Sequence, residues 1–106
     1  MSEAAYTVRA EFDSESVAER YADWLAGSGD HAARVLAHGG VRAEVVRLDA
    51  ERPVIECRYV FRDRESLDAY LRDHAPALRA EGLRAFPSGV VFTRSIGRVV
   101  ARVVPA

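Results

Sequence analysis

The sequence predicts an α+β domain of the ferredoxin-like βαββαβ type, in which a four-stranded antiparallel sheet carries its helices on one face. Four segments alternate apolar and polar residues as strands do, and segments with helical spacing separate them in the order strand, helix, strand, strand, helix, strand. Right-handed crossovers between such elements produce this fold. A length of 106 residues suits one core, so we assign residues 1–106 to a single ferredoxin-like domain.

The first strand and first crossover are predicted from residues 6 to 38. Alternation marks a strand over residues 6–12, and Asp13 and Ser14 can each cap the helix that follows. A Gly-Ser-Gly sequence interrupts this helix, and a second short helix is predicted over residues 31–38 with Asp30 as its cap. Two glycines end it, which is typical of a helix C-terminus. The apolar stripe of the first helix comprises Val17, Tyr21, Trp24 and Leu25.

A hairpin and a second crossover complete the order. Two β-rich segments, residues 41–48 and 54–61, are joined by a loose turn, and Asp63 can cap the next helix. Pro76 removes a backbone donor, so we expect this helix to kink or restart within residues 72–75. The apolar stripe of the helix comprises Leu67, Tyr70, Leu71, His74 and Leu78.

The alternation also predicts two different sheet faces. Ile55, Tyr59 and Phe61 share the face that we assign to the helices, together with Cys57. If Leu48 opposes Val54 in the hairpin, Glu44 lies opposite Arg58, and such pairs contribute roughly 0.2–1 kcal/mol each. The open face is either solvated, with charges that neutralise one another, or covered by the sheet of a second copy. Its predicted residues are Arg9, Glu11, Arg42, Glu44, Val46, Val54, Glu56, Arg58 and Val60.

The C-terminal segment favours a homodimer. Residues 90–104 are predicted to form a long last strand with a bulge at Gly97. This strand would leave Val99, Val100, Val103 and Val104 on an exposed edge, which needs covering because such edges promote aggregation. Strand exchange with a second copy would cover them.

Composition excludes several classes of protein. The net charge is −1 and the pI about 6.3, and no aromatic residue of the third strand is assigned to the open face, so nucleic-acid binding is not predicted. No signal peptide or membrane-length apolar segment is apparent, which predicts a cytoplasmic protein. Cys57 is the one cysteine, and its strand context indicates a buried, inert thiol. All fifteen basic side chains are arginine, so the choice of arginine over lysine carries no information here.

Two segments carry a resemblance to a known family. Residues 31–41, HAARVLAHGGV, follow Trp24-Leu25, and residues 70–79, YLRDHAPALR, precede Arg84-Ala-Phe86. They resemble a bacterial domain family of unknown function in the dimeric α/β-barrel superfamily, although Ala32-Ala33 replaces the Ile-Pro of the first motif. The resemblance implies a ferredoxin-like protomer that dimerises through its sheet. The superfamily includes cofactor-independent monooxygenases, isomerases, haem enzymes and ligand-sensing modules, so the chemistry stays open.

Two histidines are the candidate catalytic residues. His74 falls within an apolar helix stripe, where a buried imidazole can act as acid or base, although it can equally be a core histidine bonded to backbone. His31 would lie in the first turn of a helix, which keeps the ring neutral, or it can help to cap that helix. His38 is interpreted as structural. No spacing indicates a metal site, and neither a metal nor a cofactor is predicted.

Aromatic and basic residues complete the candidate site. Trp24, Tyr21, Tyr70 and Tyr59 are predicted to line a pocket between helices and sheet, although they can also be ordinary core. Arg79 and Arg84 are candidates for holding an anionic ligand, and solvated surface is the alternative.

Three functions therefore remain open, and the sequence does not decide whether the protein is an enzyme. The leading interpretation is a homodimer that binds a small organic ligand. The alternatives are a cofactor-independent monooxygenase or isomerase with a pocket histidine as base, and a non-catalytic structural or interaction dimer. A cavity of a few hundred Å³ at the histidines would support a site, whereas close packing would support a scaffold.

Overall fold

A computed structural model describes residues 2–106 and contains four strands and four helices. The strands pair antiparallel in the order β2-β3-β1-β4, which confirms the predicted ferredoxin-like fold. In chain order the elements are β1 (Ala4–Phe12), α1 (Glu15–Ala26), α2 (His31–Leu36), β2 (Gly40–Leu48), β3 (Val54–Phe61), α3 (Arg64–Asp73), α4 (Ala75–Ala85) and β4 (Val90–Arg98).

The helix boundaries follow from local chemistry. The Asp63 carboxylate accepts a hydrogen bond of 2.7 Å from the amide of Ser66 and so caps α3. Pro76 lies in the first turn of α4, where its missing N–H costs nothing, and α3 and α4 meet at His74. This confirms the predicted helix restart. Asp30 precedes α2 but makes no capping bond, because its φ of 63° is left-handed rather than the extended conformation of a capping residue.

The core lies between the sheet and the helices, as the alternation predicts. Ile55, Tyr59 and Phe61 are all buried on the helical side. Burial of their side chains away from water is the main driving force for docking the helices on this face. The buried helix residues that meet them include Tyr21, Leu25, Val35, Leu67, Tyr70 and Leu78.

The open face carries ion pairs. The predicted register is confirmed, since Leu48 pairs with Val54 and Glu44 with Arg58. The Arg58 guanidinium, however, binds Glu56 on its own strand at 2.9 Å instead of Glu44. Arg9 binds the same carboxylate from β1 at 3.2 Å. Such exposed pairs contribute at most about 1 kcal/mol each.

The last strand is shorter than predicted. It ends at Arg98, and residues 99–106 adopt no regular secondary structure. The reason is that β1 is the one neighbour of β4 and begins at Ala4; beyond the strand, one further backbone hydrogen bond of 2.9 Å joins the Val99 amide to the Glu3 carbonyl. The predicted bulge at Gly97 is also wrong, because Gly97 pairs in regular register with Ala5.

Candidate functional site

A pocket lies between the helices and the helical side of the sheet. Water-sized molecules can occupy about 50 Å³ of it, enough for a few waters but below the roughly 300–1,000 Å³ of typical ligand pockets. This volume falls between a ligand-sized cavity and a closely packed core. The pocket therefore admits a compact chemical group. Its lining comprises Tyr6, Val8, Tyr21, Trp24, His31, Val35, Tyr59, Tyr70, Leu78, Arg79, Gly82, Leu83, Phe92 and Arg94.

Trp24 and His31 form a stacked pair at one side of the pocket. Their ring centroids are 3.9 Å apart and the planes differ by 19°. The loop that joins α1 to α2 creates this pair by passing close to the backbone of Trp24. A Cβ on Gly29 would lie 2.2 Å from the Trp24 carbonyl oxygen, so this position requires glycine. On α4, a Cβ on Gly82 would lie 3.3 Å from Cη2 of Trp24, and its absence makes room for the indole.

The imidazole of His31 is buried and incompletely paired. The residue is 8% exposed, and its Nδ1 has no hydrogen-bond partner within residues 2–106. The pKa of His31 is lowered to about 4, chiefly by burial and secondly by the charge of Arg34, while Glu81 acts in the opposite direction. The ring is therefore neutral at pH 7, with one nitrogen able to donate a hydrogen bond and the other able to accept one.

A carboxylate that the sequence did not single out lies near His31. Glu81 binds the Arg34 side chain at 3.0 Å through one oxygen, and its other oxygen, Oε2, is buried without a partner in the described part of the chain. The hydrogen bond from Arg34 lowers the pKa of Glu81, which stays ionised. This region thus contains two buried polar atoms that protein groups leave unsatisfied.

The tyrosines supply neutral hydroxyl groups. Burial raises the pKa of Tyr70 to about 12 and places those of Tyr21 and Tyr59 well above their usual range. The Tyr6 hydroxyl accepts a 3.0 Å hydrogen bond from Arg79, and its ring stacks against that of Tyr59 at 5.9 Å. These phenols can donate to or accept from a ligand without carrying charge.

Cys57 lies beneath the tyrosines on β3 and is buried and free, as predicted. Burial raises the pKa of its thiol to about 11. The thiolate is the reactive form of cysteine, so this residue is chemically inert.

His74 is not where the helical spacing places it. It is exposed at the junction of α3 and α4, outside the pocket, because α3 ends at Asp73 and the spacing that aligned it with Tyr70 stops there. Its ring stacks on that of His38, with centroids 3.6 Å apart. His31 and His74 therefore do not share the pocket, which leaves His31 as the histidine that could act on a ligand there.

The predicted binding residues divide into two groups. Arg84 is exposed and does not line the pocket, whereas Arg94, which the sequence did not single out, does. The available signal was the alternation of β4, which places Phe92 and Arg94 on the helical side opposite Ala10 and Val8. The other candidates all line this pocket, and their roles stay predictions; they are Trp24, Tyr21, Tyr70, Tyr59 and Arg79.

Two further properties of residues 2–106 bear on metal binding and on membranes. No three His, Cys, Asp or Glu side chains there are grouped so that they could hold a metal ion. Within the same residues, no helix combines the length and apolar character needed to cross a membrane.

Comparison with protein families identifies the domain. The model of a domain of unknown function, DUF4286, matches residues 4–100. The chain belongs to the DUF4286 family. This confirms the resemblance to a family without an assigned activity. No curated protein matches this DUF4286 chain.

Solved structures show the same fold at low sequence identity. A dimeric ferredoxin-like protein from an uncultured marine organism has a TM-score of 0.73 and 20% identity, over 97% of this chain and 100% of the other. SnoaB, a cofactor-independent oxygenase from Streptomyces nogalater, has a TM-score of 0.63 and 18% identity, over 98% and 97%. A monooxygenase from the gene ActVA-Orf6 of Streptomyces coelicolor, in complex with nanaomycin D, has a TM-score of 0.71 and 11% identity, over 99% and 94%. These comparisons establish the fold of the DUF4286 chain.

Proposed function

We propose that this DUF4286 protein is a homodimer in which each chain binds a small organic molecule in the pocket beside Trp24 and His31. The supporting observation is a buried imidazole, unpaired at Nδ1 within residues 2–106, on the wall of a pocket formed by aromatic rings. An unsatisfied buried polar atom costs about 1–3 kcal/mol. A polar ligand group, or a water that accompanies it, would offset that cost. A cytoplasmic location and the exclusion of nucleic acid stay predictions from the sequence.

Binding is testable through Trp24, the one tryptophan of the chain. We expect phenol, benzamide or benzoate at millimolar concentration to change its fluorescence saturably, because the polar group of a ligand that enters the pocket would lie beside the indole. His31→Phe, which keeps a ring beside Trp24 but has no nitrogen, is expected to weaken binding of phenol. Absence of any saturable change or thermal shift with all three probes would refute the proposal and favour a structural dimer with a filled core.

The dimer proposal is supported by the open sheet face and the C-terminal segment. Val100, Val103 and Val104 are 84%, 89% and 69% exposed, and contiguous apolar exposure of this kind is uncommon on monomers. Arg102 lies beside Arg42 and Arg58 of the open face, so the segment extends over the surface that a second sheet would cover. The related fold of a dimeric ferredoxin-like protein also supports this assembly.

Sedimentation tests the dimer. We expect the protein to sediment as a dimer at micromolar concentration and the Val100→Glu/Val103→Glu variant as a monomer, because a charge would then be buried at each of the two positions. Ala26→Glu, which adds a charge at the exposed end of α1, is the control and should remain dimeric. A monomeric parent protein would contradict the proposal.

A second candidate is cofactor-independent oxygenase or isomerase activity. A neutral His31 could take a proton from an enolisable ligand, and SnoaB and the ActVA-Orf6 monooxygenase have the same fold. The low pKa of His31 makes it a weak base, so binding is the function we favour. Turnover of the bound molecule that is lost in His31→Phe would support the catalytic alternative.

A further inference from the structure

The pocket has an excess of positive charge. Among residues 2–106, its lining includes Arg79 and Arg94 but no aspartate or glutamate. Most arginines of the chain form ion pairs, but neither of these two guanidinium groups lies within 4.0 Å of a carboxylate in the described residues. Because all fifteen basic side chains of this chain are arginine, the presence of arginine is not itself informative. The significant observation is that no carboxylate of the described residues lies close enough to neutralise these two guanidinium groups.

Both arginines line the pocket together with four tyrosines. Arg79 donates to the Tyr6 hydroxyl at 3.0 Å, and the Arg94 guanidinium carbon lies 5.8 Å from the centre of the Phe92 ring. Each cation also opposes the effect of burial on the pKa of Tyr70, which lines the same pocket. Two cations and a set of neutral donors therefore converge from α4 and β4 on one opening.

The size of the pocket limits what can neutralise these charges. About 50 Å³ admits a group comparable to a few water molecules but not a ring system. A carboxylate is of this size, is planar, and accepts hydrogen bonds from guanidinium groups in two parallel contacts. The apolar remainder of such a molecule would lie at the mouth, where Leu83 is 59% exposed.

We infer that the ligand of this pocket is a small aromatic carboxylic acid whose carboxylate is bound between Arg79 and Arg94. The inference rests on the proposed binding function and adds the chemical class of the ligand. Arg94 is in this view a binding residue, and Arg84, which the sequence had suggested in its place, is not.

The test compares benzoate with benzamide, which has the same ring and shape but no charge. We expect benzoate to bind about tenfold more tightly, as followed by Trp24 fluorescence and by calorimetry, because hydrogen bonds to charged groups are the stronger ones. Arg94→Gln and Arg79→Gln are each expected to remove this preference, because each variant removes one of the two charges that hold the carboxylate. Arg84→Gln is the matched control and should leave the preference intact.

The outcomes separate the two proposals. Equal binding of benzoate and benzamide, unchanged in Arg94→Gln and Arg79→Gln, would overturn the carboxylate inference and leave the pocket proposal standing. A benzoate preference lost in Arg84→Gln but kept in the other two variants would also overturn it. Failure of both probes and of phenol to bind would overturn the binding function itself. All three arginines are exposed, so the variants are expected to fold, which circular dichroism and thermal unfolding check.

Discussion

Replacement of Tyr21 by alanine is expected to lower the free energy of unfolding by about 3–5 kcal/mol, the range for removing a large buried aromatic side chain. Tyr21 is 3% exposed, and its ring centroid lies 5.1 Å from that of Phe12, 5.3 Å from Phe86 and 5.8 Å from Trp24. Its loss would leave a cavity at the point where α1, the sheet and the end of α4 meet. Denaturant unfolding followed by circular dichroism measures the change.

Tyr21→Phe is the control for this prediction. It keeps the ring and removes the hydroxyl, so we expect a loss of at most about 1 kcal/mol, the net value of a typical hydrogen bond. A loss as large as that of the alanine variant would show that the hydroxyl, and not aromatic packing, holds the cluster together.

Acidification from pH 6.5 to pH 4 is expected to lower the free energy of unfolding by on the order of 2 kcal/mol through His31 alone. In the folded protein its pKa is about 4, chiefly because the ring is buried and secondly because of Arg34, while Glu81 acts the other way. In the unfolded chain the pKa has its ordinary value of 6.5, so the unfolded chain binds a proton that the folded chain does not. The free energy of unfolding therefore rises with pH across this interval, and the contribution of His31 is fully present above it.

Unfolding of His31→Phe over the same pH series isolates this contribution. The variant keeps an aromatic ring beside Trp24 but has no titrating nitrogen. Carboxylates such as Glu15 and Glu56, whose pKa values are lowered by hydrogen bonds from arginine side chains, also lose stabilising charge in acid, and the comparison removes their share. We expect a flatter pH dependence in the variant; the same slope in both proteins would contradict a buried, neutral His31.

The sheet could be predicted from the sequence because its signal is local. Residues such as Ile55, Tyr59 and Phe61 alternate with charged ones, and a two-residue period assigns every side chain of a strand to a face at once. The hairpin register could be predicted only as a condition, with Leu48 opposite Val54, and the structure shows that pairing.

The errors arose where a local pattern ends or where distant segments meet. His74 continued an apolar helical spacing, but the proline two residues later ended the helix and turned the ring outward, against His38. Arg94 reaches the pocket through the pairing of β4 with β1, a contact between segments at opposite ends of the chain. The alternation of β4 gives the face on which Arg94 lies, but the residues that it meets there depend on this long-range pairing. The same reason explains why Glu81, opposite α2 on another helix, was not identified as a neighbour of His31.

The position of β1 in the sheet has a consequence for how the chain reaches its native state. β1 lies between β3 and β4, and its first residue, Ala4, pairs with Phe61 on one side and Arg98 on the other. Each of these pairings closes a long loop, which costs conformational entropy before the contacts form. Folding should therefore be slower than that of a helical bundle of equal size. During synthesis, β1 is made before either of its partners, β3 or β4. Until a partner is made, its apolar side stays exposed, and exposed apolar surface of this kind promotes aggregation.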